Sequence, residues 1–436
     1  MAKQPIGPVV AGCLTAGLIG AVALVLGPIA GAEEYVTTGS LLLVFGASLG
    51  LVAILSVLWT NQPQRWAALP AGFMVSAGAG LLVCAPSGDD LNRLGWVWPA
   101  LWLATCAWAA VRARRQLRSW SGPWLVYPLL GVSALCGIGG AYQTLGESFD
   151  RRVSAPGQLI DVGGHRLHLT CAGSGSPTVV LESGLGETGA YWGWISAALA
   201  GETTVCAYDR AGRGWSDPPA HAQDGAAVAA DLHALLEQRH VPGPFVLVGH
   251  SSGAQYVRIF ARRYPAQVGG MVLLDGQPVE AFESLPIFPA FYAAFRRVSG
   301  LLPSLARLGV GRLVFHDSFG ELPPGVRDQE RRSHSSARFF RSLRDEFAAL
   351  PASLREARAL ESLGNRPLVV VTASRDAQEG WLPLQDRMAM LSANSIHRVL
   401  PYSHDALVTD RAAAQASTQA VRDVVHAVRF SVPLAQ

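Results

Sequence analysis

Phe245-Val246-Leu247-Val248-Gly249-His250-Ser251-Ser252-Gly253 is an unbroken apolar run that stops abruptly at small residues around one hydroxyl. Residues 245–249 read as a fully buried strand, and residues 254–263 place Val257, Phe260 and Ala261 at helical spacing. Ser251 therefore falls on a tight turn between a strand and a helix. Glycines 249 and 253 suit a strained backbone packed closely against its neighbours. The following helix points its N-terminus at Ser251, so the N–H of Ser252 can meet negative charge developing on a substrate oxygen. A serine hydroxyl with no base nearby is inert, so the rest of the chain must supply partners.

Downstream of a polar linker at 147–156, two alternating runs at 158–162 and 166–170 flank Gly163-Gly164 and predict a hairpin. Apolar strands follow at 177–182, ending in Ser183-Gly184-Leu185-Gly186, and at 204–208, ending in the loop Asp209 to Ser216. Residues 226–236 have helical spacing and lead into the 245–249 strand. Three more strands are expected: 268–274 before Asp275, 367–372 before Ala373-Ser374-Arg375-Asp376, and 396–400 before Tyr402-Ser403-His404-Asp405. A closing helix covers 411–429. Strands alternating with helices specify a mostly parallel sheet with helices on both faces. Residues 277–365 interrupt the alternation with a helix-rich stretch carrying abundant Pro, Phe and Arg.

Gly249-His250-Ser251-Ser252-Gly253 resembles the nucleophile elbow of the α/β-hydrolase superfamily. Over about residues 157–430 the resemblance implies an eight-stranded α/β-hydrolase fold, with 277–365 as a helical cap. It also implies an esterase- or lipase-like serine hydrolase that forms an acyl-enzyme and needs no metal or organic cofactor. His404, last in the order Ser, Asp, His, would be the base. Asp376, four residues beyond a buried strand, matches the superfamily's acid position, with Asp275 as its rival. The glycine-rich end at 183–186 resembles the superfamily's His-Gly loop, with Ser183 in place of the histidine. Backbone N–H groups of Leu185 and Ser252 would then form the oxyanion hole. Asp209 and Arg210 are expected to fasten loops beneath the site. Serine at 251, not aspartate, argues against the dehalogenase and epoxide-hydrolase branches. Aminopeptidase, C–C bond hydrolase and acyltransferase branches share the same triad, and a membrane-anchored binding or sensing module with a retired hydrolase domain is the alternative from another class.

The first third of the chain has a different character. Only eleven of the 67 Asp, Glu, Lys and Arg residues precede Glu147. Five uncharged stretches, 4–32, 35–64, 66–88, 94–111 and 119–146, are each about long enough to cross a hydrocarbon core, which takes roughly 18–20 apolar residues. Residues 1–146 thus predict a bundle of about five transmembrane helices. Trp59, Trp66, Trp96, Trp98, Trp120 and Trp124 lie next to the links, as expected of rings at headgroup level. Lys3, Arg65 and the link with Arg112, Arg114, Arg115 and Arg118 alternate with acidic links. Placing the cationic links inside makes the N-terminus cytoplasmic and the hydrolase domain extracytoplasmic. The fourth stretch is the shortest and contains Pro99. Ala30-Gly31-Ala32 resembles a signal-peptide cleavage site, although the apolar run before it exceeds a usual h-region. Cys171 and Cys206 sit on neighbouring strands where a disulfide is permitted, at heights that look mismatched. A net charge of +3 with scattered arginines shows no nucleic-acid footprint. Membrane tethering and the Phe-rich cap suggest a small, lipophilic ester as substrate.

Overall fold

A computed structural model describes residues 5–116 and 123–435, with the side chains of 123–125 left aside. Lys3, Arg118 and Trp120 lie outside the described residues, as does the side chain of Trp124. The chain divides into two compact units. The first contains the described residues up to Val153 with Ala294–Leu313 and Ser335–Arg341; the second contains Ser154–Ala293, Val314–His334 and the described residues from Ser342 on. The insertion at 277–365 is therefore shared between the units.

In the first unit, apolar sequence forms α1 (Ile6–Leu26), α2 (Glu34–Trp59) and α3 (Ala68–Cys84), and the charged link forms α4 (Gly88–Leu94). Apolar sequence again begins α5 (Trp98–Gln116), which ends in arginines, and forms α6 (Pro123–Asp150). Among the described residues, four spans, Ile6–Leu26, Glu34–Trp59, Arg65–Cys84 and Val126–Asp150, are long and apolar enough to cross a membrane. The expected fourth crossing is instead the pair α4 and α5, bent by 46°, which makes a fifth if counted as one span. Pro99 stands at the second residue of α5, where its missing N–H costs the helix nothing. The α2–α3 link satisfies its own polar groups: Thr60 Oγ1 donates to Ser56 O (2.6 Å), Gln64 N to Ser56 Oγ (2.8 Å) and Trp66 Nε1 to Gln64 Oε1 (2.8 Å). Backbone without such partners is not tolerated in hydrocarbon.

The two insertion segments complete this unit. Glu34, at the start of α2, is 3% exposed and its carboxylate is held by Arg307 and by Arg341 Nη1 (2.6 Å). Arg307 also donates to Asn92 Oδ1 (3.0 Å), Arg296 to Gly31 O (2.6 Å), Arg312 to Asp150 Oδ2 (2.6 Å) and Gln143 to Ser335 O (2.8 Å). Glu34, in the acidic link after the first apolar stretch, is a buried ion-pair centre.

The second unit holds an eight-stranded sheet in the order β1-β2-β4-β3-β5-β6-β7-β8. Its strands are β1 (Gln158–Asp161), β2 (Arg166–Ala172), β3 (Thr178–Glu182), β4 (Val205–Asp209), β5 (Phe245–His250), β6 (Val268–Leu274), β7 (Leu368–Ala373) and β8 (Ser395–Leu400). Strands β3 to β8 pair in parallel, whereas β1 with β2 and β2 with β4 are antiparallel, so the sheet is mixed. Every residue of β3, β4, β5 and β7 is buried, which is why they read as continuous apolar runs. Helices α7 (Gly193–Leu199), α8 (Gly225–Gln238) and α9 (Gly253–Arg263) follow β3, β4 and β5. The insertion supplies α10 (Ala281–Ser284), α11 (Phe288–Val298), α12 (Leu302–Arg307), α13 (Val310–Val314), α14 (Pro324–His334) and α15 (Ala337–Arg358). The chain closes with α16 (Trp381–Ala389), α17 (Ala406–Thr409) and α18 (Arg411–Phe430).

Cys171 and Cys206 are directly opposite in the β2–β4 register, with Cα atoms 4.1 Å apart, and form a disulfide. The expected mismatch in height is thereby corrected: β2 runs against β4, and the register of that long-range pairing brings the sulfurs level.

Removing the Glu34 carboxylate leaves two arginines without their anion. Glu34→Ala should destabilise the full chain by about 3 kcal/mol, and Glu34→Gln by less. Thermal melting in detergent checks this; an unchanged Tm for Glu34→Ala would contradict the pairing.

Candidate active site

The apolar core of β5 delivers the chain to Ser251 at one end of the sheet. Ser251 has φ +52°, in the left-handed region that a β-carbon disfavours. Its N–H donates to Leu274 O (3.1 Å), while its carbonyl accepts from Gln277 N (2.8 Å) and Ala254 N (3.2 Å). These bonds pin the bend between the end of β6 and the first turn of α9. A β-carbon on Gly253 would overlap the Glu182 carbonyl, and one on Gly249 would sit 2.7 Å from the Gly253 backbone. Both glycines are thus needed for close approach, as expected.

Asp275, directly after β6, is bent in the same way, with φ +44° and its N–H donating to Val371 O (2.6 Å). Its buried carboxylate is fully engaged. Oδ1 accepts from Ala373 N (3.2 Å) and Trp381 Nε1 (2.7 Å), and Oδ2 accepts from His404 Nδ1 (2.6 Å). His404, on the loop between β8 and α17, is partly exposed. With Nδ1 committed to Asp275, its Nε2 lies on the opposite edge of the ring. The carboxylate partner of His404 is therefore Asp275, and the expectation of Asp376 is corrected. Asp376 lies exposed on the loop after β7 and makes no hydrogen bond to His404. β6 is the immediate neighbour of β5, so the residue ending it reaches the elbow directly, whereas the β7 end is one strand farther away.

Ser251, Asp275 and His404 line one cavity of about 380 Å³. Ile287, Phe288, Phe291 and Trp381 give it an apolar wall, and Asp376 and Gln277 also line it. Gln277 Nε2 is buried and has no hydrogen-bond partner among the described residues.

Leu185 and Ser252 are not among the lining residues of that cavity. Ser252 is the N-cap of α9, and Leu185 is half-buried on the loop after β3. Among the described residues, neither backbone N–H has an acceptor. Ser183 ties the Leu185 loop down: its hydroxyl donates to Thr188 O (3.0 Å) and accepts from Trp192 Nε1 (3.0 Å). Arg210 holds the same loop through Ser183 O (2.5 Å) and Gly184 O (2.6 Å), and its charge is met by Glu182 (2.6 Å) and Glu346 (2.8 Å). Asp209 accepts from Gly189 N (2.8 Å), Trp215 N (3.0 Å) and His168 Nδ1 (2.8 Å). Burial pushes the Asp209 carboxyl up, but His168 and those amides outweigh it and hold it below its ordinary value. Both residues fasten loops, in the manner expected of them.

Residues that the motif reading missed lie beneath the elbow. His250 Nδ1 contacts Glu187 Oε1 at 2.6 Å, and its ring lies 4.7 Å from that of His404. On α14, Glu330 bonds Thr188, and burial pushes its carboxyl up to about 8. His250 occupies the variable position of the motif, so its place was visible in the sequence; Glu187 and Glu330 carried no local signal.

Residues 179–418, more than half of the chain, match the sequence profile of the alpha/beta hydrolase family. An uncharacterised protein of Schizosaccharomyces pombe is 27% identical over 304 residues, covering 61% of this chain and 55% of that protein. One from Mycobacterium tuberculosis is 32% identical over 199 residues, covering 43% and 58%. The chain thus spans a little over half the length of these relatives. Among solved structures, the Cif epoxide hydrolase of Acinetobacter nosocomialis is similar in fold, with TM-score 0.51 and 16% identity over 66% of this chain and 96% of that one.

Exchanging the two candidate acids separates their roles. Asp275→Asn should slow the reaction of Ser251 with a fluorophosphonate by on the order of 10³-fold or more, because the amide holds the wrong imidazole tautomer. Asp376→Asn should leave the rate nearly unchanged. Stopped-time labelling of the purified variants measures both.

Proposed function

The chain belongs to the alpha/beta hydrolase family, and on that footing we propose that it is a membrane-anchored serine hydrolase that cleaves a carboxylic ester or related acyl bond. The observation that carries this reading is the Asp275–His404 hydrogen bond on the wall of a cavity that Ser251 also lines. In the proposed reaction, His404 Nε2 takes the proton of the Ser251 hydroxyl as it attacks the acyl carbon. Asp275 fixes the tautomer and stabilises the imidazolium. The N–H groups of Ser252 and Leu185 receive the developing oxyanion; one such donor is typically worth ~10²-fold or more in rate. His404 then returns the proton to the leaving alcohol, and water repeats the sequence to release the acid.

Ser251 at the elbow favours an acyl-enzyme over direct attack by a carboxylate, which weighs against epoxide opening. The apolar wall of Ile287, Phe288, Phe291 and Trp381 favours a lipophilic acyl or alcohol group. Gln277 Nε2 offers a donor to a polar atom of the same substrate. The four or five apolar helices support a membrane anchor. Cationic links on the cytoplasmic side would place the catalytic unit outside, and the Cys171–Cys206 disulfide agrees with an oxidising compartment.

The purified full chain should be labelled by a fluorophosphonate probe, with labelling abolished in Ser251→Ala, and should turn over p-nitrophenyl acyl esters. Labelling without turnover at any acyl length would remove the ester assignment and leave the amide, C–C bond or acyl-transfer alternatives. Absence of labelling would favour a binding module.

A further inference from the structure

The residue before the nucleophile is also built into the site. His250 is fully buried, and both of its ring nitrogens face oxygen. Nδ1 lies 2.6 Å from Glu187 Oε1, and Nε2 lies 3.2 Å from the backbone carbonyl of His404. A carbonyl can only accept, so Nε2 carries a proton. Glu187 in turn takes a hydrogen bond on Oε2 from Gly184 N (2.5 Å), in the loop that presents Leu185. One chain of contacts thus runs from the Leu185 loop through Glu187 and His250 to the main chain of His404. The three catalytic loops come from β3, β5 and β8, strands that are not all neighbours.

Resting on the serine-hydrolase reading, we propose that the Glu187–His250 pair is a positioning device that holds the oxyanion loop and the His404 loop in register with Ser251, and does so as a carboxylate–imidazolium pair. Burial alone would lower the His250 pKa, but the Glu187 carboxylate outweighs it and raises it to about 9. Burial likewise raises Glu187, and His250 outweighs it and holds that carboxyl below its ordinary value.

The other groups around the pair leave this charge state intact. Asp275 and Asp405 add negative potential at His250 from the β6 and β8 ends. The His404 ring lies 4.7 Å from that of His250, tilted by 34°. Beyond Glu187, α14 presents Glu330, whose carboxyl is pushed up to about 8 by burial, and His334, which burial pushes down to about 4. At neutral pH those two therefore bring little charge of their own. Tyr191 stays protonated, and Arg213 adds positive potential toward Glu330. A histidine raised from 6.5 to about 9 contributes its pairing in full below 6.5 and loses it as pH rises through about 9.

The test is the pH dependence of fluorophosphonate labelling of Ser251 in the full chain, alongside melting temperature for each variant. Wild type should lose labelling rate on the alkaline side as pH passes about 9. Glu187→Gln should move that limb to lower pH. His250→Asn, which keeps one donor but cannot titrate, should remove the limb and label roughly 10- to 100-fold more slowly at neutral pH, the scale expected when reacting groups are misplaced. A wild-type rate that stays flat through pH 10, measured without any variant, overturns the inference. So do folded variants whose profiles keep the wild-type shape. No labelling of wild type at any pH would instead sink Ser251 as nucleophile, and the positioning role with it.

Discussion

Two adjacent strands end in the same strained bend, and the candidate site at that end of the sheet depends on it. Ser251 and Asp275 both sit in the left-handed region, at a cost of about 1–2 kcal/mol each. Neither would stay there alone. The Ser251 N–H is held by the end of β6 and the Asp275 N–H by β7, so each strand fixes the bend of its neighbour. The buried ladders of β5, β6 and β7 supply the rigidity that the bends draw on. Both side chains are delivered to one end of the sheet, where His404, on the loop after β8, bonds Asp275.

The surroundings of these bends are unusually polar for an interior. Arg210, Glu182, Tyr208 and Glu346 are buried together, and the guanidinium also bonds two carbonyls of the loop after β3. Buried ions add little net stability over an apolar replacement. What such a cluster supplies is geometry, because each carboxylate accepts only along defined directions. Glu346 extends the cluster to α15, so this insertion helix is tied through Arg210 to the same loop by charge.

Much of this was legible in the chain. Continuous apolar runs marked the parallel strands because both faces of the sheet are covered, and the Gly-x-Ser-x-Gly spacing marked the elbow because only glycine allows those approaches. Motif and order single out Ser251 and His404 as candidates. The carboxylate partner of His404 was not legible, since Asp275 and Asp376 both follow buried strands and precede His404; only the order of strands in space distinguishes them. The Cys171–Cys206 bridge depended likewise on the register of a non-local antiparallel pair. Glu187, Glu346 and Glu34 find their partners across sequence separations of 63, 136 and up to 307 residues, which no local pattern encodes.

The shared ownership of the insertion has a consequence for biosynthesis. Glu34 emerges from the ribosome 273 residues ahead of Arg307 and 307 ahead of Arg341. Until those arginines are translated, the apolar helices hold a carboxylate with no counterion, and contacts so distant along the chain form slowly. The helical bundle is thus made first and finished last. Its maturation waits on segments encoded within the α/β-hydrolase domain that follows it, and a nascent chain interrupted before residue 307 would leave an incomplete bundle for quality control to recognise.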